Sequence, residues 1–268
     1  MQSCARLPIA LGGLAERRRL AACPTLLALL CTAPAIHAQS YKAPRTPDGK
    51  PDLQGIWQAR TTAYAALETH GAASGIPAGM GVVVDPTDGK IPYKPEALER
   101  RKKNFETRQT ADPLGKCFLP GVPRATYLPF PFQIFQTSKF ALIAYEFVHA
   151  TRTIPLDGGK HLDQIDFWMG DSRGHWEGDT LVVDVADLHD ETWLDLAGDY
   201  HSDALKVVER YTRTGPETLQ YEATIEDPNV YTRPWKISMP LYLHTEKNFQ
   251  LYEYECHDYL EEAAAKKN

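Results

Sequence analysis

The sequence predicts an all-β fold, in which an antiparallel meander of about 8–10 strands closes into a β-barrel with one short helix and long loops. From Phe132 onward, hydrophobic residues recur mostly at every second position, the period of a strand with one buried face. These segments are rich in Val, Ile, Thr and aromatic residues. Short turns containing Gly, Pro, Asp or Asn separate most of them, and barrel closure removes exposed strand edges.

Nine segments between Phe132 and Cys256 carry this pattern. In chain order they are QIFQT, FALIAYEF, TRTIPL, DFWMG, TLVVDVADL, LKVVERYTRT, TLQYEATIED, WKISMPLYL and QLYEYEC. GIWQ, at residues 55–58, is an earlier strand of the same barrel. Residues 61–92 are predicted to be irregular except for the short strand GVVV. One helix is expected from Pro95 to about Thr107, with the proline in its first turn.

Residues 1–38 are predicted to be a secretory signal peptide. Arg17–Arg19 form a basic region, residues 20–35 form an apolar core, and Ile36-His37-Ala38 ends in a small residue, as cleavage sites do. The apolar run is too short for a stable membrane-spanning helix. Residues 39–54 are then an extended leading segment, and residues 55–268 a single β-barrel domain. This organisation predicts a periplasmic or secreted protein.

Charge and cysteine content narrow the expected partners. Residues 1–38 contain four Arg and one Glu, so their removal changes the net charge from −6 to −9. An acidic exported protein is poorly suited to binding nucleic acid or an anionic membrane surface.

Of the five cysteines, only Cys117 and Cys256 remain after cleavage, and in an oxidising compartment they predict one disulfide. Two buried free thiols are the alternative. The oligomeric state is not indicated.

Several longer motifs resemble those of a family of uncharacterised secreted bacterial proteins. They are RTPDGKPDLQGIW, GDSRGHWEGDTLVVDV, HSDALKVVERYTR, IEDPNVYTRPW and EYECHD, and together they span most of the mature chain. The resemblance implies export and a shared fold, but no reaction. Gly55-Ile56-Trp57 also resembles the Gly-x-Trp that opens lipocalin-like barrels. After EYECHD the chain departs from the family pattern, because YLEEAAAKKN replaces an Asn-Tyr and a longer segment.

The stretch GDSRGHWEGDTLVVDV, residues 170–185, admits three interpretations: a catalytic site, a metal loop, or a hairpin with a polar turn. In a hairpin, Gly178 would supply a positive φ. Asp184 interrupts an apolar strand on the same face as Val182, so its carboxylate either faces solvent or needs a partner inside the barrel. Asp171 and Arg173 can pair with each other at the surface.

The long polar segment 186–204 is predicted to be a loop between two strands. Loops of this length are commonly lids or binding loops. It contains His201 and Asp203 among other carboxylates, a combination that suits an acid–base pair or a metal site, although the spacing matches no metal motif. A solvated acidic loop is the alternative.

His257 lies beside Asp258 at the end of the predicted last strand. It is a candidate general base, a candidate haem ligand by the lipocalin-like resemblance, or a rim histidine with no task. Four strand crossings separate it from His201 and would return the chain to the same rim of the barrel. The four strands begin near Leu205, Thr218, Trp235 and Gln250.

The sequence therefore favours an exported, cofactor-independent lyase, isomerase or hydrolase that acts on a small apolar or aromatic molecule in a barrel pocket. The predicted catalytic residues are His201, His257, Asp184 and Asp203. The predicted substrate-binding residues are Trp176, Trp193, Tyr200, Arg173 and His161. No glycine-rich phosphate loop, dinucleotide fingerprint or GxSxG elbow is present, so no organic cofactor is predicted. A non-catalytic ligand-binding protein and a barrel that binds a divalent metal or haem are the alternatives.

Overall fold

A computed structural model of the chain describes residues 41–162 and 165–266. The predicted signal peptide lies outside the described residues. The strands are β1 Gly55–Ala59, β2 Val83–Asp85, β3 Phe132–Gln136, β4 Phe140–Tyr145, β5 Thr151–Pro155, β6 Asp171–Glu177, β7 Thr180–Ala186, β8 Lys206–Arg213, β9 Thr218–Glu226 and β10 Trp235–Leu243. The helices are α1 Pro95–Ala111, α2 Arg124–Tyr127 and α3 Cys256–Ala265, with short 3₁₀ turns at Pro113–Lys116 and Phe147–His149.

Nine of the described strands form a nearly closed antiparallel barrel, which confirms the predicted fold class. Their order is β5-β4-β3-β1-β10-β9-β8-β7-β6, and β2 pairs with β10 outside this order. The topology is not one simple meander as predicted, because β1 lies between β3 and β10. Gly55–Trp57 pair with β3, and Trp57–Ala59 pair with β10. An early strand thus joins two later meanders.

The barrel has one unsealed seam, between β5 and β6 at the two ends of the strand order. A backbone hydrogen bond from the Gly158 N–H to the Gly174 carbonyl, 3.1 Å long, crosses this region. A Cβ atom at Gly174 would lie 2.8 Å from side-chain atoms of Ile154 and Leu156. Glycine at this position therefore lets β6 approach β5 closely, although the two strands do not form a ladder.

Large side chains fill the barrel interior. The largest fully buried ones include Trp57, Trp235, Tyr127, Tyr211 and Phe132. They come from alternate positions of the strands and from α2, and they belong to one hydrophobic cluster. The packed interior contrasts with the open barrel pocket that the sequence suggested for a ligand.

Two predicted strands are wrong, and one was missed. DFWMG forms a bridge at Phe167 and then a turn. QLYEYEC is irregular until Cys256, where α3 begins. Both edges of β10 are already occupied by β9, β1 and β2, so no partner remains beside it for a following strand. The missed strand is β6, which pairs with β7 across a turn at Gly178, where φ is 58°.

Cys117 and Cys256 form a disulfide, as predicted, with a sequence separation of 139 residues. The bond joins the end of the 3₁₀ turn Pro113–Lys116 to the start of α3. None of the helices in the described residues is long and apolar enough to cross a membrane.

Replacing both cysteines with serine is expected to lower the free energy of unfolding by about 2–5 kcal/mol, because the unfolded chain regains the entropy of a long loop. Urea titration of the oxidised protein and of the double variant measures this difference. Oxidised protein treated with reductant should match the double variant. Equal urea midpoints for the oxidised protein and the double variant would contradict the expectation.

Candidate functional site

A cleft of about 390 Å³ lies at the barrel seam. Thr151, Arg152 and Thr153 of β5 line one side. Asp171 and Ser172 of β6 and the preceding segment 166–170 line the other. Because β5 and β6 do not pair, the cleft opens between strands of the barrel wall. Irregular backbone beside rigid strands is a common setting for a binding site.

The buried guanidinium of Arg152 lies at the boundary between the cleft and the barrel interior. Its Nε donates a hydrogen bond of 2.7 Å to Ser172 Oγ, and Nη2 donates to Glu209. Both charged side chains are almost fully buried. Burial alone would lower the pKa of Arg152, but Glu209 raises it well above its ordinary value. Nη1 is also buried, and the Arg152 side chain interacts with the Tyr145 hydroxyl as well.

Glu209 is tied further into the barrel by two tyrosines. Its Oε1 accepts hydrogen bonds from the hydroxyls of Tyr211, at 2.9 Å, and Tyr221, at 2.8 Å. Burial, followed by the charge of Glu209, raises the pKa of both hydroxyls well above 10, so both tyrosines remain neutral donors. The interior thus fixes the position of Arg152 through a charged and hydrogen-bonded network.

An aromatic stack stands on the other side of the cleft. The Trp168 ring lies 4.8 Å from Phe118 at an interplanar angle of 7°, and 4.6 Å from His189 at 2°. Phe118 is 41% exposed. Leu119 and Met169 add apolar surface to the cleft. The apolar lining of the cleft suits an apolar or aromatic molecule.

A histidine and three carboxylates lie together at the edge of the cleft. His161 Nδ1 is 2.9 Å from Asp171 Oδ2, and His161 Nε2 is 3.5 Å from Asp184 Oδ2. Potential ligand atoms of His161, Asp171 and Asp187 all lie within 4.8 Å of one another. Arg173 Nε donates to Asp171 at 2.9 Å, which is the pairing that the sequence suggested. The structure therefore brings together three of the predicted site residues, His161, Asp184 and Arg173.

The environment of Asp171 keeps its carboxylate ionised. Partial burial raises its pKa, but hydrogen bonds from Arg173 and His161 and from the Leu162 N–H outweigh burial and leave the pKa below its ordinary value. An ionised carboxylate can orient the imidazole of His161 through Nδ1.

Asp184 does not point into the barrel. On β7, Leu181, Val183 and Val185 are buried in the hydrophobic core, whereas the Asp184 side chain is 53% exposed. The alternation therefore places Asp184 on the outer face, the solvent-facing alternative of the sequence analysis.

His201 is fully buried, and both of its ring nitrogens contact residues of its own loop. Its Nε2 lies 2.6 Å from Thr192 Oγ1, and its Nδ1 lies 2.8 Å from the Ser202 carbonyl. Burial lowers the pKa of His201 and favours the neutral ring. Asp203 is exposed, and His257 is exposed on α3. The pairing of His201 with His257 stays a prediction. The argument for it assumed four strands between the two histidines, and the fourth, predicted to begin near Gln250, is not a strand.

The remaining predicted binding residues contribute to packing. Trp193 and Tyr200 are buried members of the core, and the Tyr200 hydroxyl donates to the Ala97 carbonyl at 3.1 Å. Trp176 is half-buried against the core, with Lys50 Nζ 6.0 Å from its ring centroid.

The segment 186–204 is packed against the domain instead of being a solvated acidic loop. Asp195 and Asp199 are almost fully buried. Asp195 accepts from the backbone N–H groups of Leu67, at 2.8 Å, and Asp199, at 3.0 Å. Asp199 Oδ1 accepts from Tyr93 OH at 2.9 Å and Arg101 Nε at 3.0 Å. Burial, and then the charge of Asp199, raises the pKa of Asp195 well above its ordinary value.

Sequence analysis missed Arg152, Glu209 and Trp168. A usable signal existed for Glu209, because it stands at an inward position between Val207 and Tyr211 in the regularly alternating β8. No pattern in the sequence indicated the unpaired seam, because its position depends on which strands become neighbours in the fold.

No protein-family model matches the chain, and no curated protein is similar to it. The family resemblance drawn from the motifs therefore stays a prediction.

In the Asp199→Asn variant, the free energy of unfolding is expected to fall less steeply as the pH rises. A raised folded-state pKa at Asp195 means that the folded state binds an extra proton once the pH exceeds the unfolded value of about 4. Stability from this group is therefore complete below that pH and is lost as the pH rises towards the folded pKa. The side-chain amide of the Asp199→Asn variant retains an acceptor for Tyr93 and Arg101 but removes the charge that raises the pKa of Asp195.

Urea unfolding of both proteins between about pH 4 and pH 8 measures the slope. Asp203→Asn, a change at an exposed carboxylate of the same loop, serves as the control and should retain the wild-type slope. Parallel slopes for wild type and Asp199→Asn would refute the expectation.

Proposed function

We propose that this protein is an exported enzyme that binds a small apolar or aromatic compound in the seam cleft and transfers protons through His161. The observation that carries the proposal is the 2.9 Å contact between His161 Nδ1 and Asp171 Oδ2. Asp171 also lines the cleft, so this contact places His161 next to it. Acid–base chemistry of this kind suits a lyase, an isomerase or a hydrolase without an organic cofactor.

In this mechanism, Asp171 holds the imidazole and His161 Nε2 exchanges the proton. The neutral ring removes a proton from the bound substrate at Nε2, and the resulting imidazolium is stabilised by the ionised Asp171. The same nitrogen then returns the proton to another atom of the substrate or to the leaving group. Asp184, 3.5 Å from Nε2 and exposed, connects this proton to solvent.

Arg152 and Trp168 would position the substrate. Arg152 lines the cleft, and its guanidinium favours a ligand that supplies an oxygen. The Trp168 stack supports an apolar or planar portion of the same ligand. Together these groups favour an aromatic compound with a carbonyl or carboxylate oxygen.

His161→Gln is expected to reduce turnover by roughly 10²–10⁴-fold, because the amide cannot act as a base at neutral pH. A panel of aromatic carbonyl compounds is incubated with the protein in D₂O, and deuterium uptake by each compound is followed by mass spectrometry. Trp168→Ala should chiefly weaken substrate binding and raise KM.

The matched control is His175→Gln, which changes an exposed histidine on β6 that contacts Glu177. It should retain wild-type turnover. The proposal fails if His161→Gln exchanges protons as fast as wild type, or if the His175 variant is equally impaired.

Divalent-metal binding is the second candidate function, and the proximity of His161, Asp171 and Asp187 favours it. One imidazole and two carboxylates form a donor set that suits zinc or manganese and leaves positions open for water or substrate. A metal ion would replace the proton on His161 as the partner of the carboxylates.

Calorimetric titration of chelator-treated protein with Zn²⁺ and Mn²⁺ tests this alternative. Asp187→Asn is expected to weaken metal binding by more than about tenfold, because it removes a charged ligand. Asp203→Asn changes an exposed carboxylate outside the set of three and should bind as wild type does. Absence of saturable binding by the wild-type protein rejects the metal candidate and leaves the acid–base proposal standing.

A further inference from the structure

A second cavity, of about 450 Å³, lies away from the seam. It is bounded by the C-terminal end of α1, the 3₁₀ turn Pro113–Lys116, α2 and the segment that precedes α3. It shares no lining residue with the seam cleft.

Two arginines line this cavity, and each has a buried Nε–H without an acceptor in the described structure. Arg124 is 2% exposed and binds Asp112 through both terminal nitrogens, at 2.8 and 2.6 Å. Arg108 donates only to backbone carbonyls, those of Phe105 at 2.5 Å and Ser74 at 2.6 Å. Its charge is therefore not balanced by a carboxylate within ion-pair distance among the described residues.

The cavity carries a net positive charge in an acidic protein. Its charged lining residues are Arg108, Arg124 and Asp112, which leaves one excess positive charge, whereas the whole chain has a net charge of −6. Both oxygens of Asp112 are occupied by Arg124, and Oδ1 also accepts from the Leu114 N–H. The unbalanced positive charge of Arg108 favours an anionic ligand group in this cavity.

Three aromatic rings supply an apolar wall. The centroids of Phe130, Phe147 and Tyr254 lie 5.0–5.3 Å from one another, and all three residues line the cavity. Phe130 and Tyr254 meet at 64°, an edge-on arrangement that is common between aromatic rings.

The disulfide joins two walls of this cavity. Cys117 follows the turn that contributes Leu114 and Gly115, and Cys256 lies two residues after Tyr254. The Tyr252 N–H also donates to Glu146 at 2.8 Å. The covalent link therefore helps to hold Tyr254 in the wall of the cavity.

We infer that this cavity is a second binding site, which takes a small aromatic carboxylate and is independent of the proposed acid–base site. The carboxylate lies against the guanidinium groups of Arg108 and Arg124 and offsets the excess positive charge of the lining. The aromatic ring packs against Phe130, Phe147 and Tyr254.

The test uses 2-naphthoate as the probe and the uncharged 2-naphthalenemethanol for comparison, both titrated calorimetrically into oxidised protein. Naphthoate should bind saturably and more tightly than the alcohol. Arg108→Gln should weaken naphthoate binding by about tenfold or more, since it removes the unbalanced charge, and should affect the alcohol much less. Arg100→Gln makes the same change at an exposed position of α1 outside the cavity and should bind as wild type does.

Reduction of the disulfide should also weaken naphthoate binding, because the segment that carries Tyr254 is then no longer covalently linked to Cys117. If Arg108→Gln does not fold, as judged by circular dichroism, Tyr254→Ala replaces it and should weaken both probes. The inference is overturned if wild type does not bind naphthoate, or if Arg108→Gln binds it unchanged. It is equally overturned if binding is lost in Trp168→Ala but kept in the cavity variants, which would place the ligand at the seam. None of these outcomes depends on whether His161 transfers protons.

Discussion

The buried ion pair between Arg152 and Glu209 is the constraint on which the arrangement of this barrel depends. Glu209 comes from the middle of β8, and Arg152 from β5 at the end of the strand order. Removing either charge would leave the other buried without compensation, which is strongly destabilising. Because β5 does not pair with β6, this polar link across the interior, together with the Arg152 bond to Ser172, stands in for a ladder at the seam.

The same constraint explains why a polar cleft can exist in the barrel wall. A closed ladder at the seam would consume the backbone groups of β5 and β6 and fill the gap with paired strands. Here the segment 166–170, which precedes β6 in the chain, lines the cleft with Trp168 and leads into Asp171. Arg152 lines the cleft, while its hydrogen bonds to Ser172 and Glu209 hold its guanidinium at the barrel interior. A side chain held this rigidly loses little entropy when a ligand binds.

Much of the fold followed from local pattern. β8 and β9 alternate regularly because one face of each lies in the core, and their predicted hairpin is present. β6 was missed because its sequence, DSRGHWE, is polar on its outer face and contains glycine on its inner face. Residues 250–256 alternate as a strand would, yet a strand also needs a partner with a free edge. That requirement is tertiary and is absent from the local sequence.

The candidate site was only partly predictable for the same reason. His161, Arg173 and Asp184 could be selected by residue type, but they converge because the β5–β6 seam is open and β6 pairs with β7 in the register Arg173 opposite Asp184. The histidine in the most acidic loop, His201, proved to be a buried structural group, since its neighbours satisfy both ring nitrogens. The density of His, Asp and Glu along the chain therefore did not indicate that the His201 ring is buried and hydrogen-bonded. His161 differs from His201 because both of its ring nitrogens lie near carboxylates, those of Asp171 and Asp184, and only the three-dimensional arrangement around the seam produces these contacts.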